Sequence, residues 1–464
     1  MPSSSTTPQG RCKPTAPRTT AMRSCGPSSA TPTASAVRRS ARGRTPPPTG
    51  SSSTCCAAPG AMAARAGSST PATRARWCAS TGICTPWARP EPRYERRVRR
   101  IVSVGGGPLP VSPRPLVVRC GAFGDVVMVT TLIRLLHARY GAPVDVVGSG
   151  GWTAPLLRNE PALGHLQIVN SRNAPYLLCP SQWALVRWLR RRGRGPVYLC
   201  DSDEATTRLI ARAGLPEEDI VRRTLQDDES DGLTRLWPDR WLRMGMRNPS
   251  RAYPVCADVD PAAYRLPVLT VTDADRQDLA QWRTARNIAG PCVLFQPGNK
   301  RTHKRGSVAT RSHPKYWPPQ AWAEVAAAIW QTLPQAQVLL CGSPAERGVL
   351  EEIRRATGDD PRMRNLADEL PVPRLLALLE RAHSLVSVDT GPAHAAAALG
   401  CPLVVLFGSA SPAKWRPIGP GSILVLGGEN GEDSRVRDIA AADVIAAWRS
   451  LPARQQDQAS LSMP

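Results

Sequence analysis

The segment LVSVDTGPAHAAAALGCPLVVLFG, residues 385–408, decides the fold of this 464-residue chain. Its first four residues form an apolar run that predicts a buried strand, and the alanine-rich stretch Pro392–Leu399 predicts a helix. A second apolar run, at 404–408, predicts the next strand. A strand, a helix and a strand in this order predict a parallel βαβ unit with a right-handed crossover.

The turn inside this segment has the features of an anion-binding site. Asp389 and Thr390 stand where a helix cap belongs, and Gly391 permits a close approach of the backbone. Because Pro392 occupies the start of the helix, free N–H groups and the positive end of the helix dipole face the carboxyl edge of the sheet. His394, one turn into the helix, can face the same point. An ordinary capped strand–helix turn would have the same sequence, and both interpretations stay open.

The same alternation of strands and helices occurs in two series along the chain. The first series contains a glycine-rich turn at 121–125, a helix from Val126 to Tyr140, and predicted strands at 116–118, 144–148 and 197–200. The second begins near Leu266 and has predicted strands at 293–295, 338–342, 385–388 and 404–408. The predicted fold is therefore α/β, with two Rossmann-like doubly wound domains that face a cleft, at residues 113–262 and 263–451.

The N-terminal part of the chain differs sharply in composition. Residues 1–100 contain 17 arginines and lysines, two acidic residues, and neither leucine nor phenylalanine. Such a segment cannot bury enough apolar surface to fold, so we predict a disordered tail over residues 1–112 and a short polar tail over 452–464. An organelle transit peptide, or a start of translation near Val104 or Val111, is an alternative interpretation of the N-terminal tail.

Charge and cysteine usage restrict the partners and the compartment. The net charge of the chain is +23, and most of it lies in the N-terminal tail, so we expect no nucleic-acid binding by the folded part. Seven of the 13 cysteines lie beyond the tail, scattered singly, as in a reducing compartment. No apolar run reaches the roughly 20 residues that a membrane span needs. We expect a cytoplasmic protein with, at most, peripheral contact with the inner face of the cytoplasmic membrane.

Two further motifs carry charged residues at predicted strand ends. Gly124-Asp125 puts a carboxylate at the start of the first predicted helix, where it acts either on a ligand or only as a helix cap. Lys315, in the sequence Pro-Lys-Tyr-Trp-Pro, either neutralises a phosphate or is a solvated lysine beside a structural corner. A basic loop at 299–311 precedes it and either holds an anionic substrate or extends into solvent.

Metal ligands are not expected. Pairs of aspartates with one residue between them occur at Asp201/Asp203, Asp258/Asp260 and Asp273/Asp275, about as often as chance allows. The pair Asp201/Asp203 follows a predicted strand and is the alternative metal site. The six histidines never occur four residues apart, so no zinc site is indicated.

The order and spacing of these motifs resemble glycosyltransferase family 9, whose best-known members are the ADP-heptose:lipopolysaccharide heptosyltransferases. The resemblance covers about residues 115–450 and is weakest over about 150–260. It implies a GT-B fold and inverting transfer of a heptose or related sugar without a metal or other cofactor. Residues 113–262 would bind a lipopolysaccharide-type or other glycan acceptor, and residues 263–451 the nucleotide-diphosphate sugar.

The same resemblance implies roles for individual residues. Asp125 would be the general base, supported by the loop residues Gly121 and Gly124. Lys315 would act in catalysis by binding the donor phosphates. The other donor-site residues would be Asp389, Thr390, Gly391 and His394, with Glu346 binding the ribose of the nucleoside.

Three other functions remain as alternatives. A sugar-nucleotide epimerase on the same fold would convert the donor without any acceptor. A catalytically inactive module would only bind nucleotide sugars or glycans, although the presence of Asp125, Lys315 and His394 argues against it. A nucleic-acid-binding protein would act through its basic tail and would lose binding when residues 1–100 are deleted.

Overall fold

The described part of the protein comprises residues 113–230, 233–298 and 311–452 of a computed structural model. The predicted N-terminal tail, residues 453–464 of the C-terminal tail and the basic loop at 299–310 lie outside it. Within the described part, no helix is both long and apolar enough to cross a bilayer. The seven cysteines found there are all free thiols.

The first sheet consists of five parallel strands. They are β1 (Leu116–Val118), β2 (Val144–Ser149), β3 (Leu163–Val169), β4 (Val197–Leu199) and β5 (Ile220–Arg222). Their spatial order is β3-β2-β1-β4-β5, so the winding direction reverses between β1 and β4. A short antiparallel hairpin follows this sheet, formed by β6 (Glu229–Ser230) and β7 (Leu233–Thr234).

The second sheet repeats this plan with six parallel strands. They are β8 (Cys292–Gln296), β9 (Gln337–Leu340), β10 (Met363–Asn365), β11 (Ser384–Val388), β12 (Leu403–Phe407) and β13 (Ile423–Gly427). The order β10-β9-β8-β11-β12-β13 reverses between β8 and β11. Two sheets of this order confirm the predicted pair of doubly wound, Rossmann-like domains.

The strands predicted from the sequence are the internal strands of both sheets. Internal parallel strands are covered by helices on both faces, and they are therefore continuous apolar runs. The edge strands β3, β5, β10 and β13 were not predicted. Each of them is largely half-buried, and their sequences therefore include polar residues or glycine.

The helices fill the connections between these strands. They are α1 (Phe123–Tyr140), α2 (Thr153–Leu157), α3 (Pro180–Arg191), α4 (Glu204–Ala213), α5 (Leu225–Asp228), α6 (Trp237–Met246), α7 (Asp273–Ala285), α8 (Pro319–Thr332), α9 (Arg347–Ala356), α10 (Val372–Arg381), α11 (Gly391–Ala398), α12 (Pro412–Trp415) and α13 (Ala441–Ser450). Helix α1 begins three residues before the predicted Val126, because Asp125 accepts a hydrogen bond from the N–H group of Ala122. Its last residue, Tyr140, is followed by Gly141, which has the left-handed conformation (φ 62°) that glycine adopts without strain.

Helix α1 joins the hydrophobic cores of the two domains. Residues around most of its circumference are buried, because it packs against strand β2, helix α6 and helix α11 of the other domain. One apolar cluster therefore contains Val126 and Ile133 from α1 together with Leu376 and Val405 from the second domain. The predicted cleft is closed at this point.

Other contacts join the domains beside α1. The rings of Trp237 and Trp415 lie 5.2 Å apart, and Arg158 forms an ion pair with Asp275 at 3.1 Å. The predicted domain boundary after residue 262 falls inside the 3-10 turn Pro261–Tyr264, and its position stays a prediction.

Candidate active site

The candidate site lies where the strand order of each sheet reverses. In open parallel sheets, ligands bind beyond the carboxyl ends of the strands at this switch point. Asp125 follows β1, the strand at the switch point of the first sheet. Asp389 directly follows β11, which lies at the switch point of the second sheet, in the position that β4 has in the first. Both residues were predicted from sequence to be functional.

Asp125 makes two kinds of contact. Its Oδ2 atom accepts a hydrogen bond of 2.7 Å from the N–H group of Ala122, so it does cap helix α1. Its Oδ1 atom lies 2.7 Å from Nη2 of Arg119, at the end of the first strand. A side chain at Gly121 would collide with the Asp125 carboxylate, which explains the glycine. The carboxylate is thus fixed from both sides, and its role as a base stays a prediction.

Arg119 links Asp125 to a second carboxylate. Its Nη1 atom lies 2.7 Å from Oδ1 of Asp201, which follows strand β4. Burial lowers the pKa of Arg119, but Asp125 and Asp201 outweigh it and hold the pKa above its usual value. The guanidinium also lies over the rings of Trp237 and Trp241, at 5.8 and 5.4 Å. These contacts make Arg119 a permanent cation between two carboxylates.

Arg119 was not predicted from the sequence to belong to the site, and Asp201 was predicted only as part of an alternative metal site. Asp201 accepts a hydrogen bond of 2.5 Å from the N–H group of Cys120 as well as the Arg119 ion pair. A signal for the pairing did exist. Arg119 and Asp201 each directly follow a predicted strand, and those two strands are neighbours in the sheet.

Asp203, the other member of the alternative metal pair, is a helix cap. It accepts hydrogen bonds from the backbone and hydroxyl of Thr206, at 3.0 and 2.8 Å, and pairs with Arg172. Burial raises the pKa of Asp203, but the bonds from Thr206 and Arg172 bring it below its usual value. Arginines therefore neutralise Asp201 and Asp203. No group of three potential metal ligands occurs among the described residues.

Lys315 belongs to a second charged cluster, at the switch point of the second sheet. Its Nζ atom donates to Oδ2 of Asp389 at 2.6 Å and to the carbonyl oxygen of Asp389 at 2.7 Å. Only 23% of the Lys315 side chain is exposed. The alternative of a freely solvated lysine is therefore wrong. Lys315 is held at the end of β11, beside the start of helix α11.

The N-terminus of α11 differs from the predicted cap. Thr390 occupies the N-cap position, but its side chain forms no capping hydrogen bond with the described residues. Asp389 is held by Lys315 instead. Gly391 lies against Phe123 of the other domain, where an added Cβ atom would come within 2.7 Å of the phenylalanine Cβ. The glycine therefore lets the two helix N-termini approach each other.

His394 lies where the two clusters meet. It is buried, and its Cδ2 atom would be 2.8 Å from a Cβ atom added to Gly124. Burial lowers the pKa of His394 below its usual value, Asp389 and Asp125 act in the opposite direction, and Lys315 lowers it further. Charges from both domains thus act on this ring. The structure brings together Asp125, Lys315, Asp389 and His394.

Glu346 lies in the turn that follows strand β9, which pairs with β8 in the second sheet. Its Oε2 atom accepts hydrogen bonds of 2.6 Å from the N–H and hydroxyl groups of Ser343, and so caps the turn Pro344–Glu346. A side chain at Gly298 would collide with it. Glu346 is therefore a buried cap at the same sheet edge, and its role toward a ribose stays a prediction.

The chain is similar to known proteins in sequence and in fold. The model of the family described as glycosyltransferase family 9 (heptosyltransferase) matches residues 267–442. Lipopolysaccharide heptosyltransferase 2 of Escherichia coli (strain K12) is 26% identical over 311 residues, which are 64% of this chain and 82% of that protein.

Two solved structures share the fold. The E. coli ADP-heptose LPS heptosyltransferase II has a TM-score of 0.54 at 22% identity, covering 73% of this chain and 98% of that one. A family 9 glycosyl transferase from Veillonella parvula DSM 2008 has a TM-score of 0.57 at 16% identity, covering 74% and 98%. The GT-B fold predicted from sequence is confirmed. The family match over residues 267–442 and the 26% identity to the E. coli enzyme show that the chain is similar to the glycosyltransferases of family 9.

Proposed function

We propose that this enzyme moves a heptose or related sugar from a nucleotide-diphosphate sugar to a lipopolysaccharide-type acceptor, with inversion and without a metal. The observation that carries the proposal is the meeting of Asp125 with Lys315 and Asp389 around His394. A relative with the same fold is described as an ADP-heptose enzyme, which favours an ADP-sugar as the donor.

Asp125 supplies the base in this proposal. The acceptor hydroxyl gives its proton to the carboxylate while its oxygen attacks the anomeric carbon of the sugar. Arg119 holds the carboxylate at 2.7 Å and fixes its orientation. Because the carboxylate is also tied to the N–H group of Ala122, little motion is needed before the proton transfer.

The second cluster supplies the charge that the leaving group needs. The bond between the anomeric carbon and the diphosphate oxygen breaks on the face opposite the attack, so the configuration inverts. Negative charge then grows on the diphosphate. Lys315 and the N-terminus of helix α11 stabilise that charge, which a metal does in other transferases.

The test is a panel of nucleotide sugars, with nucleotide release followed in the presence and absence of deacylated lipopolysaccharide. Acceptor-dependent release of one nucleotide supports the proposal. Formation of an epimeric nucleotide sugar without acceptor would favour the epimerase instead. Binding of a nucleotide sugar without any turnover would favour the inactive module.

A further inference from the structure

The surface that follows strand β3 is apolar and cationic. Between residues 161 and 200 the sequence contains six arginines and neither aspartate nor glutamate. This stretch folds into β3, the 3-10 turn Tyr176–Leu178 and helix α3. Forty consecutive residues without an acidic side chain form an unusual stretch, because most of the other charged helices in the described part contain both signs.

Three large apolar side chains project from this surface. Leu177 and Leu178 are 76% and 78% exposed, and Trp183 is 40% exposed. The indole N–H group of Trp183 donates to the carbonyl oxygen of Tyr176 at 2.6 Å, so the turn and the helix are fixed to each other. Exposed leucines on a fixed turn, next to an exposed tryptophan, mark a site of contact with another surface.

Helix α3 surrounds these apolar side chains with arginines. It buries Leu185 and Leu189 against the domain and turns its other face outward. On that outer face, Leu177 and Trp183 line one shallow depression with three arginines, namely Arg187, Arg190 and Arg191. Arg212 adds a further cation, because it stacks on the ring of Tyr176 at 4.5 Å.

This combination fits the surface of a lipid bilayer. Leucines enter the acyl boundary, a tryptophan lies at the level of the headgroups, and arginines pair with anionic headgroups. A second copy of the chain is a poor occupant, because a two-fold contact would oppose arginines with arginines. We propose that the docking face, defined as Leu177, Leu178, Trp183 and the three arginines of α3, holds the enzyme on a bilayer that contains anionic lipids.

The docking face is connected to the candidate base. Arg172, at the start of the loop after β3, pairs with Asp203 and lies 3.9 Å from Asp201. Asp201 pairs with Arg119, which pairs with Asp125. The loop and Asp125 therefore share the carboxyl edge of the first sheet. If the proposed function holds, an acceptor anchored in the bilayer reaches Asp125 from this edge.

Vesicle co-sedimentation of the full chain tests the proposal without donor or acceptor. Vesicles of phosphatidylcholine alone are compared with vesicles of phosphatidylcholine and phosphatidylglycerol in equal parts. The variant Leu177→Ser/Leu178→Ser keeps every charge, including those of the basic tail, and its binding to the anionic vesicles should fall about tenfold or more. Arg187→Gln/Arg190→Gln/Arg191→Gln should lose about fivefold for each arginine.

Two matched control variants test whether vesicle binding depends on the docking face or on exposed leucines and arginines anywhere on the surface. Leu225→Ser removes a leucine that is 82% exposed elsewhere. Arg243→Gln/Arg355→Gln/Arg449→Gln removes three exposed arginines outside the docking face. Both should bind vesicles like the parent protein. Unchanged binding of the double leucine variant, or an equal loss in the arginine control, would overturn the proposal.

An activity assay distinguishes a bilayer from the acceptor as the occupant. With a water-soluble deacylated acceptor, Leu177→Ser/Leu178→Ser should release nucleotide at the parent rate. With the acceptor embedded in vesicles, the rate should fall as the binding does. An equal fall with both acceptors would assign the surface to acceptor binding and overturn the proposal. Because vesicle binding requires no substrate, failure of the proposed function leaves that first test intact.

Discussion

The two halves of the molecule each place a carboxylate and a cation at the switch point of a parallel sheet, but in opposite positions. In the first half, the cation Arg119 ends the strand and Asp125 stands in the first turn of the helix. In the second half, Asp389 ends the strand and the cation, Lys315, comes from a separate loop. The switch points of the two sheets therefore carry different arrangements of carboxylate and cation.

The difference determines what each helix N-terminus can bind. In α1 the carboxylate of Asp125 accepts from the N–H group of the N-cap residue Ala122 and adds a negative charge in the first turn. In α11 the side chain of Thr390 forms no cap with the described residues, and Lys315 adds a positive charge nearby. We therefore expect the first half to act on a proton and the second half to bind an external anion.

The largest effect that we expect comes from removing the base. Asp125→Asn retains a hydrogen-bonding side chain of similar shape but cannot accept the proton, so turnover should fall by about 10²–10⁴. Donor affinity should barely change, because the base contacts the acceptor. The turnover is measured by nucleotide release and the affinity by calorimetry.

A matched control is Asp203→Asn, which alters another helix-capping carboxylate that precedes a helix at the same sheet. Its turnover should remain near that of the parent enzyme. Near-normal turnover of Asp125→Asn would mean that Asp125 is only a helix cap. The distinction drawn between the two halves would then fail.

A smaller effect, on binding and turnover together, is expected from the second half. Lys315→Ala removes a cation from the proposed diphosphate site, and a charge-assisted hydrogen bond corresponds to roughly 10–150-fold. Donor affinity and turnover should both fall within this range. Lys315→Arg keeps the positive charge and should recover part of the loss. A fall in turnover with unchanged donor affinity would contradict a role in binding the donor.

The free energy of unfolding should depend on pH because of His394, which lies where the two halves meet. The folded protein holds the pKa of His394 below its usual value, so at acidic pH the unfolded chain binds a proton that the folded chain does not. The free energy of unfolding should therefore decrease as the pH falls below about 6.5. His394→Gln should show a shallower decrease between pH 7.5 and 5.5, by at most about 1.4 kcal/mol.

Urea denaturation at the two pH values measures this slope. His165→Gln, at an exposed position, controls for the loss of a histidine as such. If the slopes of parent and His394→Gln agree, the ring is not kept neutral by burial between the halves. The described contact of His394 with Gly124 would then not persist in solution.

The smallest effect is expected from removal of metals. Arg119 and Arg172 neutralise the one acidic pair that follows a strand, and Lys315 supplies charge at the proposed leaving group. EDTA followed by desalting should therefore leave the rate nearly unchanged. A large loss that manganese or magnesium restores would point to a metal at Asp201/Asp203 and would remove the need for Lys315 in charge stabilisation.

The internal strands of each sheet could be predicted from the sequence, but the edge strands could not. The apolar strands β1 and β11 could be recognised because both their faces are buried. The edge strand β3, with the sequence LGHLQIV, is mostly half-buried and mixes polar and apolar residues. Because of these polar residues, β3 was not predicted from the sequence, and neither was the docking face that follows it.

The residues of the candidate site could also be predicted only in part. Asp125 and Lys315 could be singled out because each stands in a short recognisable motif. Their ionic partners could not all be identified, because Arg119 and Asp201 are 82 residues apart and meet only when β1 pairs with β4. Pairing across a sheet depends on strand order, which one sequence does not specify.

Gly124 and Gly391 limit which substitutions the candidate active site can tolerate. Each faces a side chain of the opposite domain, His394 or Phe123, at a distance that leaves no room for a methyl group. An alanine at either position must push the domains apart or displace that side chain. Reacting atoms have to come within roughly 3–3.5 Å, and an error of about 1 Å costs on the order of 100-fold in rate. If Asp125 is the base and Lys315 binds the leaving group, a methyl group added at either glycine should change the distance between them by enough to slow the reaction.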